Sequence, residues 1–343
     1  VIKKLPHAEQ YTLTSGGNNA STTFAGVVSG TGGITKAGTG TLTLSGANAY
    51  SGVTSVNAGT LVAGNASALG AAPGGTTVVA GATLNVDNVA IAGESITLNG
   101  VGVAGAGALM GRGTASLSGN VTLAGASTIG TTNATSSLTL GGVVSAPSAL
   151  TFVGPGNVTA TNAGNNFSAV TVSGAGSVSL RDTNDITINA STVSGALSVQ
   201  AAGAVTVAGA ISAAGAGDAI VLSGGRFVNN VGPSALSAAN GRWLVWSGNS
   251  NPFGGATPDV RNGLSYDFKQ YGALFGVTPV AQATGNGFLY SLAPSITPGL
   301  TGTTSRVYDG TTGATLLAGN FTAAGAVDGD AVTLAWTGAV YGD

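Results

Sequence analysis

The sequence predicts an all-β chain wound as a β-solenoid, on three observations. Short strand-like runs recur with one grammar, an apolar residue, Thr and a second apolar residue, closed soon after by Gly or Asn. Examples are Thr41-Leu42-Thr43-Leu44-Ser45-Gly46, Gly59-Thr60-Leu61-Val62-Ala63-Gly64 and Ala82-Thr83-Leu84-Asn85-Val86. The apolar residues that follow the Thr stand at 42, 61, 84, 98, 123, 140, 152, 172, 188 and 207. Their mean step is roughly 18, within the periods of stacked-repeat architectures. Finally, only Tyr50, Phe152 and Phe167 are aromatic between residues 37 and 225. A β-sandwich of that length, the competing reading, would bury more aromatic rings. Helix is disfavoured because β-branched residues dominate and Gly interrupts every potential turn.

Each segment follows from that frame. Residues 1–14, with Lys3, Lys4, Pro6 and Glu9, are expected to blunt the first sheet edge, since an unpaired edge invites stacking. Residues 15–225 carry the coils, with Gly and Asn at corners that need positive φ. Ten rungs spaced about 4.8 Å apart would make a rod about 45–50 Å long. Residues 226–298 change character. Phe227, Trp243, Trp246, Phe253, Tyr266, Phe268, Tyr271, Phe275, Phe288 and Tyr290 crowd into this stretch among Arg226, Arg242, Asp259, Arg261, Asp267 and Lys269. It reads as a compact cap or connector on the last rung. Pro294 and Pro298 mark a boundary, and residues 299–343 start a small β-rich module.

Composition excludes several functions. Charged residues are 6% of the chain, against about 25% in an ordinary soluble domain. A formal net charge of −2 provides no field for nucleic acid phosphates. No run reaches the roughly 18 uninterrupted apolar residues of a membrane helix. There is no Cys, so thiol catalysis, disulfides and Cys-ligated zinc are absent. Residue 1 is Val and no leader-like segment opens the chain, so the sequence reads as a mature or fragmentary piece of something longer.

The run Gly32-Gly33-Ile34-Thr35-Lys36-Ala37-Gly38-Thr39-Gly40-Thr41-Leu42-Thr43-Leu44-Ser45-Gly46-Ala47-Asn48-Ala49-Tyr50-Ser51-Gly52, continuing through Val56-Asn57-Ala58-Gly59-Thr60-Leu61, resembles the autotransporter-associated β-strand repeat. The stretch from Gly241-Arg242-Trp243-Leu244-Val245 to Phe288-Leu289-Tyr290-Ser291-Leu292 resembles the segment after the β-helix in filamentous-haemagglutinin-like exoproteins. Arg306-Val307-Tyr308-Asp309-Gly310-Thr311-Thr312, followed by Asp328-Gly329-Asp330, resembles the start of a YDG module that is cut short at Tyr341-Gly342-Asp343. These resemblances imply a right-handed parallel β-helix passenger of a Gram-negative surface or secreted protein. They also imply an outer-membrane secretion partner, by an autotransporter or a two-partner route. Neither the N-terminal secretion domain of the two-partner exoproteins nor an autotransporter's membrane barrel is visible. The implied role is adhesion or biofilm contact, with glycans or matrix proteins of a host or neighbouring cell as partners.

Catalytic residue types are scarce. A Ser-His-Asp relay would have to use His7, the single His, in an N-terminal segment expected to fray. Metal chemistry meets the same shortage, and no cofactor is expected. Gly100-Val101-Gly102-Val103-Ala104-Gly105 fits GxGxxG, but more glycines follow it and no helix N-terminus is offered to a pyrophosphate; corner glycines explain it better. Gly215-Ala216-Gly217-Asp218 is a single, poor echo of a calcium-binding nonapeptide. Eight Asn-x-Ser/Thr sequons occur, close to what the composition gives by chance. The Thr rows suggest an ice-binding solenoid, but variable coil lengths argue against a flat, uniform face.

Between residues 37 and 180 the only charges are Asp87, Glu94 and Arg112, whereas a polysaccharide-processing β-helix needs convergent carboxylates. The one dense cluster is Arg181-Asp182-Thr183-Asn184-Asp185, which could line a glycan contact or be a solvated corner. Trp243, Trp246, Tyr266 and Tyr271 are the other candidates for partner contact, because aromatic residues dominate binding hot spots. A capping core is the plainer explanation for them. The leading expectation is a non-enzymatic adhesive stalk; a polysaccharide-processing enzyme and a filament joined through open solenoid ends are the alternatives.

Overall fold

The computed structural model describes residues 11–303, 305, 307 and 309–340. Among the described residues, twenty-nine strands join in one hydrogen-bonded sheet, and every pairing within it is parallel. The chain climbs through about 13 turns of a parallel β-solenoid, which at one strand spacing per turn is about 60 Å of rod.

Register explains why the alternating sequence winds this way. Each strand sits on its equivalent from the previous coil, so like residues stack. The row Leu42, Leu61, Leu84, Leu109, Ile129, Phe152 and Val172 runs unbroken through the interior. All seven side chains are buried. On another face the row Ala160, Leu180, Val199, Leu222 and Val245 does the same. Because side chains alternate with a period of two, the hydroxyl residues that alternate with these rows point outward. Thr14, Thr35, Ser55, Thr77, Thr97, Thr122 and Ser145 form one such outer column.

Coil-to-coil steps run from 18 residues (Val170 to Ile188) to 27 (Gly100 to Ser127), most of them longer than the step of roughly 18 read from the repeats. The reason is geometric. The markers at 42, 61 and 84 share one face, but 98 and 123 lie on a second and 140 on a third. The sequence average therefore mixed coil-to-coil steps with shorter face-to-face steps.

Corners are sealed by side chains that reach the neighbouring coil. Asn48 accepts from the Val28 amide at 2.9 Å and donates to the Ala68 carbonyl at 2.7 Å, so it ties the coil below to the coil above. Asn165 does likewise, accepting from Val144 N at 2.8 Å and donating to Arg181 O at 3.1 Å. Asn120 caps Val143 N and Asn157 caps Ser177 N. At Gly119 the neighbouring backbone comes so close that a Cβ would stand 1.9 Å from the Glu94 carbonyl oxygen.

The parallel ladder runs on past residue 225. Arg226–Asn229 pairs with Ala204–Val207, and Leu236–Ser247 follows Ile211–Gly224 along its length. The closing strands then depart from sequential stacking. Gly287–Tyr290 pairs with Leu236–Ser247 on one side and with Phe268–Tyr271 on the other. The later strand is thus inserted beneath the earlier one, and Phe268–Tyr271 forms the last rung. Beyond it, Thr297–Leu300 and Phe321–Ala324 make a separate antiparallel pair. At the opposite end, Leu13–Ser15 already pairs with Ile34–Lys36. Residues 1–10, where an edge cap was expected, lie outside the described residues.

Candidate functional site

Two regions gather the candidate residues: the corner after Val178–Asp182 and the aromatic end. At the corner, Asp182 is 2% exposed. Its Oδ2 accepts from Phe167 N at 2.6 Å and its Oδ1 from Asn184 N at 2.8 Å. Burial pushes its carboxyl pKa up, against the pull of those amides. Asp182 therefore closes the corner from inside, bonded to backbone amides as a structural corner would be, but buried and not solvated. Asp185 is exposed and accepts from Ala204 N, on the next coil, at 2.6 Å. Arg181 is exposed. Beside them lies an open polar trough of about 680 Å³, with Asn166, Ser168, Thr183, Asn184, Asp185 and Thr187 on its walls.

The aromatic end contains two cores on opposite faces of one strand. Trp243 stacks on Ile220 of the coil below and points inward. It packs edge-on against Phe288 with centroids 5.2 Å apart, and Phe227 and Tyr266 meet the same ring at 5.7 and 5.3 Å. Phe253 and Tyr271 close on Tyr290 at 4.8 and 5.8 Å. Trp246, three residues on, faces out. It is covered by the returning chain, in a small second core with Leu244, Ala273 and Leu289, and by Phe275 at 5.5 Å. Trp243 and Trp246 are 2% and 6% exposed. Neither is a surface anchor, because each fills a core that the end of the rod needs. Tyr266 and Tyr271 are half-buried, and their hydroxyls face charged neighbours: Arg261 donates to Tyr266 at 3.3 Å, and Tyr271 donates to Asp330 at 2.5 Å. Burial and that carboxylate push Tyr271 up to about 12. The exposed apolar residues here are Leu274, Phe275 and Val277, on the loop before the inserted strand.

The remaining motifs resolve into structure. Val103–Gly105 is a single 3₁₀ turn, and Gly102 bridges to Gly107 so closely that a Cβ on Gly102 would fall 1.9 Å from the Gly107 oxygen. Asp218 is paired with Arg242 at 2.6 Å. Among the described residues no group of three or more His, Cys, Asp or Glu could hold a metal ion, and no helix is long and apolar enough to cross a membrane. His7, Arg306, Tyr308 and Tyr341-Gly342-Asp343 lie outside the described residues.

Two interior charges escaped the sequence reading. Lys36 is fully buried, and its Nζ donates to the carbonyls of Ala37 (2.6 Å), Gly38 (2.6 Å) and Ala58 (3.0 Å). Desolvation lowers its pKa. Glu94 is 2% exposed and accepts from Thr76 Oγ1 at 2.7 Å; burial pushes it up to about 7. Both sit in phase with buried neighbours two residues away, Ile34 for Lys36 and Ile96 for Glu94. Asp182 is in phase with Val178 and Leu180 in the same way. The period-two alternation was the signal that could have placed all three inside.

With this geometry in view, similarity to known proteins covers parts of the chain. The Passenger-associated-transport-repeat family matches residues 34–63. A family of repeats of unknown function (DUF5649) matches residues 175–241. A 65-residue stretch is 51% identical to an adhesin, the BmaC autotransporter of Brucella suis biovar 1 (strain 1330), covering 19% of this chain and 2% of that protein. The chain thus spans only a small part of this relative's length. No solved structure matches the chain. The repeat at 34–63 includes Lys36 with its carbonyl cage and two successive strands of the Leu42 row, Thr41–Leu44 and Gly59–Ala63, so the similarity falls on solenoid-building residues.

Proposed function

We propose that this chain is a segment of an autotransporter-type passenger that acts as a non-enzymatic adhesive stalk on the surface of a Gram-negative cell. The observation that carries the reading is the unbroken parallel ladder from Leu13 to Tyr290, combined with the passenger-associated repeat within it. A stack in which every rung hydrogen-bonds its neighbours behaves as a quasi-one-dimensional object. It holds its length and carries whatever it displays away from the membrane. The surface supports the same reading: hydroxyl columns and Asn corners keep the rod hydrated with little charge. Adhesion to glycans or matrix proteins, export through an outer-membrane partner, and a YDG-like module at 299–343 of the filamentous-haemagglutinin kind belong to this proposal.

The test is binding of the purified chain to immobilised cell-surface glycans and matrix proteins. Saturable binding is expected, lost either with Leu274→Ser and Phe275→Ser or with Arg181→Ala and Asp185→Ala. Turnover of a polysaccharide by the same preparation would overturn the reading in favour of an enzyme.

A further inference from the structure

The interior row that runs Ala160, Leu180, Val199, Leu222, Val245 and Phe288 ends on Lys269. The last rung therefore turns a cation inward at the position every lower rung fills with an apolar side chain. A second cation joins it. Arg261 lies over the rings of Phe253, Tyr266 and Phe288 at 5.4, 5.6 and 5.9 Å. Inward-pointing charge is one way an exposed sheet edge is protected from unwanted pairing, but these two charges are met by partners from residues beyond the solenoid.

Val327 to Asp330 is a tight turn. Asp330 N donates to Val327 O at 3.0 Å, and both central residues, Asp328 and Gly329, have positive φ. Asp-Gly suits such a turn, and the turn presents both carboxylates to the rod. Arg261 grips Asp328 with two nitrogens at 2.7 and 2.5 Å. Lys269 donates to Asp328 at 2.9 Å and also to Asp330, and Tyr271 donates to Asp330. Forked guanidinium–carboxylate pairing is the geometrically selective kind. The apolar contact beside it is incomplete, leaving a cavity of about 260 Å³ between Tyr271, Pro294, Ile296 and Val327.

We propose that the end of the solenoid is a docking socket for a paired-carboxylate turn. Arg261, Lys269 and Tyr271 form it, and Asp328-Gly329-Asp330 fills it in cis. The socket seats the module containing Thr297–Leu300 and Phe321–Ala324 across the mouth of the rod and fixes the direction in which that module leaves. Ionic contacts, more than apolar packing, hold the joint. The inference does not depend on what the protein adheres to.

The full chain has no Cys, so two engineered cysteines at exposed sites, Ser237→Cys on the rod and Thr315→Cys on the module, can carry a spin-label pair. The wild-type background should give one narrow distance. Asp328→Asn with Asp330→Asn should abolish it in favour of a broad, longer distribution. Lys269→Met, which leaves the Asp-Gly turn intact, should do the same while the circular dichroism of the solenoid is unchanged. A broad distribution in the wild type, or a narrow one retained in both variants, would overturn the socket. Broadening with the Asp variants alone would also overturn it, because the effect would then belong to the turn and not to its recognition.

Discussion

The coils up to Gly224 and the aromatic end after it share one register but close their interiors differently. In the coils, Leu, Val, Ile and Ala stack on near-copies of themselves, and each rung is satisfied by the rung above and below. At the end there is no rung above. There the inward positions widen to Phe227, Trp243, Phe288 and Tyr290, whose rings interlock. The chain inserts Gly287–Tyr290 beneath Phe268–Tyr271, and charge finishes the column. The lesson is that a repeating interior is filled mainly by in-phase aliphatic residues, with single rings or charges enclosed rung by rung, whereas its termination uses interlocked rings, a non-sequential strand and an ion network.

The sharpest test of that difference is loss of one inward residue on each side. Trp243→Ala removes a ring from an interlocked set and should cost about 3–5 kcal/mol. Leu84→Ala in the coils should cost about 2–5 kcal/mol, toward the lower part of that span because narrow neighbours can close in. Denaturant unfolding of the two variants measures both. A coil variant that loses more than the Trp variant would reverse the comparison.

The next effect is pH-dependent and confined to the coils. Glu94 has its folded pKa raised from 4.5 to about 7, so the folded state binds more protons than the unfolded state between those values. Stability is therefore greatest below pH 4.5, as far as this group is concerned, and falls as pH rises toward 7. The loss is about 2–3 kcal/mol, with little further change above. Glu94→Gln should flatten this slope in unfolding midpoints measured from pH 5 to 8; an unchanged slope would place its origin elsewhere. Lys36→Met leaves three half-buried carbonyls without their donor and should cost about 1.5–3 kcal/mol by the same unfolding measurement. Smaller still, Asn120→Ala removes one coil-to-coil cap on Val143 N and should cost about 1 kcal/mol. Leu274→Ser, at an exposed loop position, should stay within about 0.5 kcal/mol of the parent.

Much of the fold was legible because the alternation that builds it is local. Leu42-Thr43-Leu44 states by itself which residues go inside, and Gly or Asn states where the corner comes. Coil length was less legible, since Leu98 and Leu84 carry the same signal on different faces and nothing local distinguishes the faces. At the aromatic end a capping core was the plainer expectation, but its division into two cores was not legible. Trp243 and Trp246 differ by an odd number of residues, so one strand sends them to opposite sides, which residue type and clustering alone do not state. Asp182 shows a related bias: its cluster was read as a solvated corner or a glycan contact, although its phase with Val178 and Leu180 placed it inside. The socket was not legible, because its halves lie 59 to 67 residues apart.

The central claim is that one parallel ladder runs through the coils and into the aromatic end, with Gly287–Tyr290 held between two strands. Amide hydrogen exchange read segment by segment tests it most directly. The account predicts that residues 236–247 and 287–290 exchange as slowly as the mid-rod strands Leu109–Arg112 and Leu197–Ala201, with the 272–286 loop much faster. Exchange of 287–290 at the rate of that loop would contradict it, and would mean that the ladder ends at Leu236–Ser247.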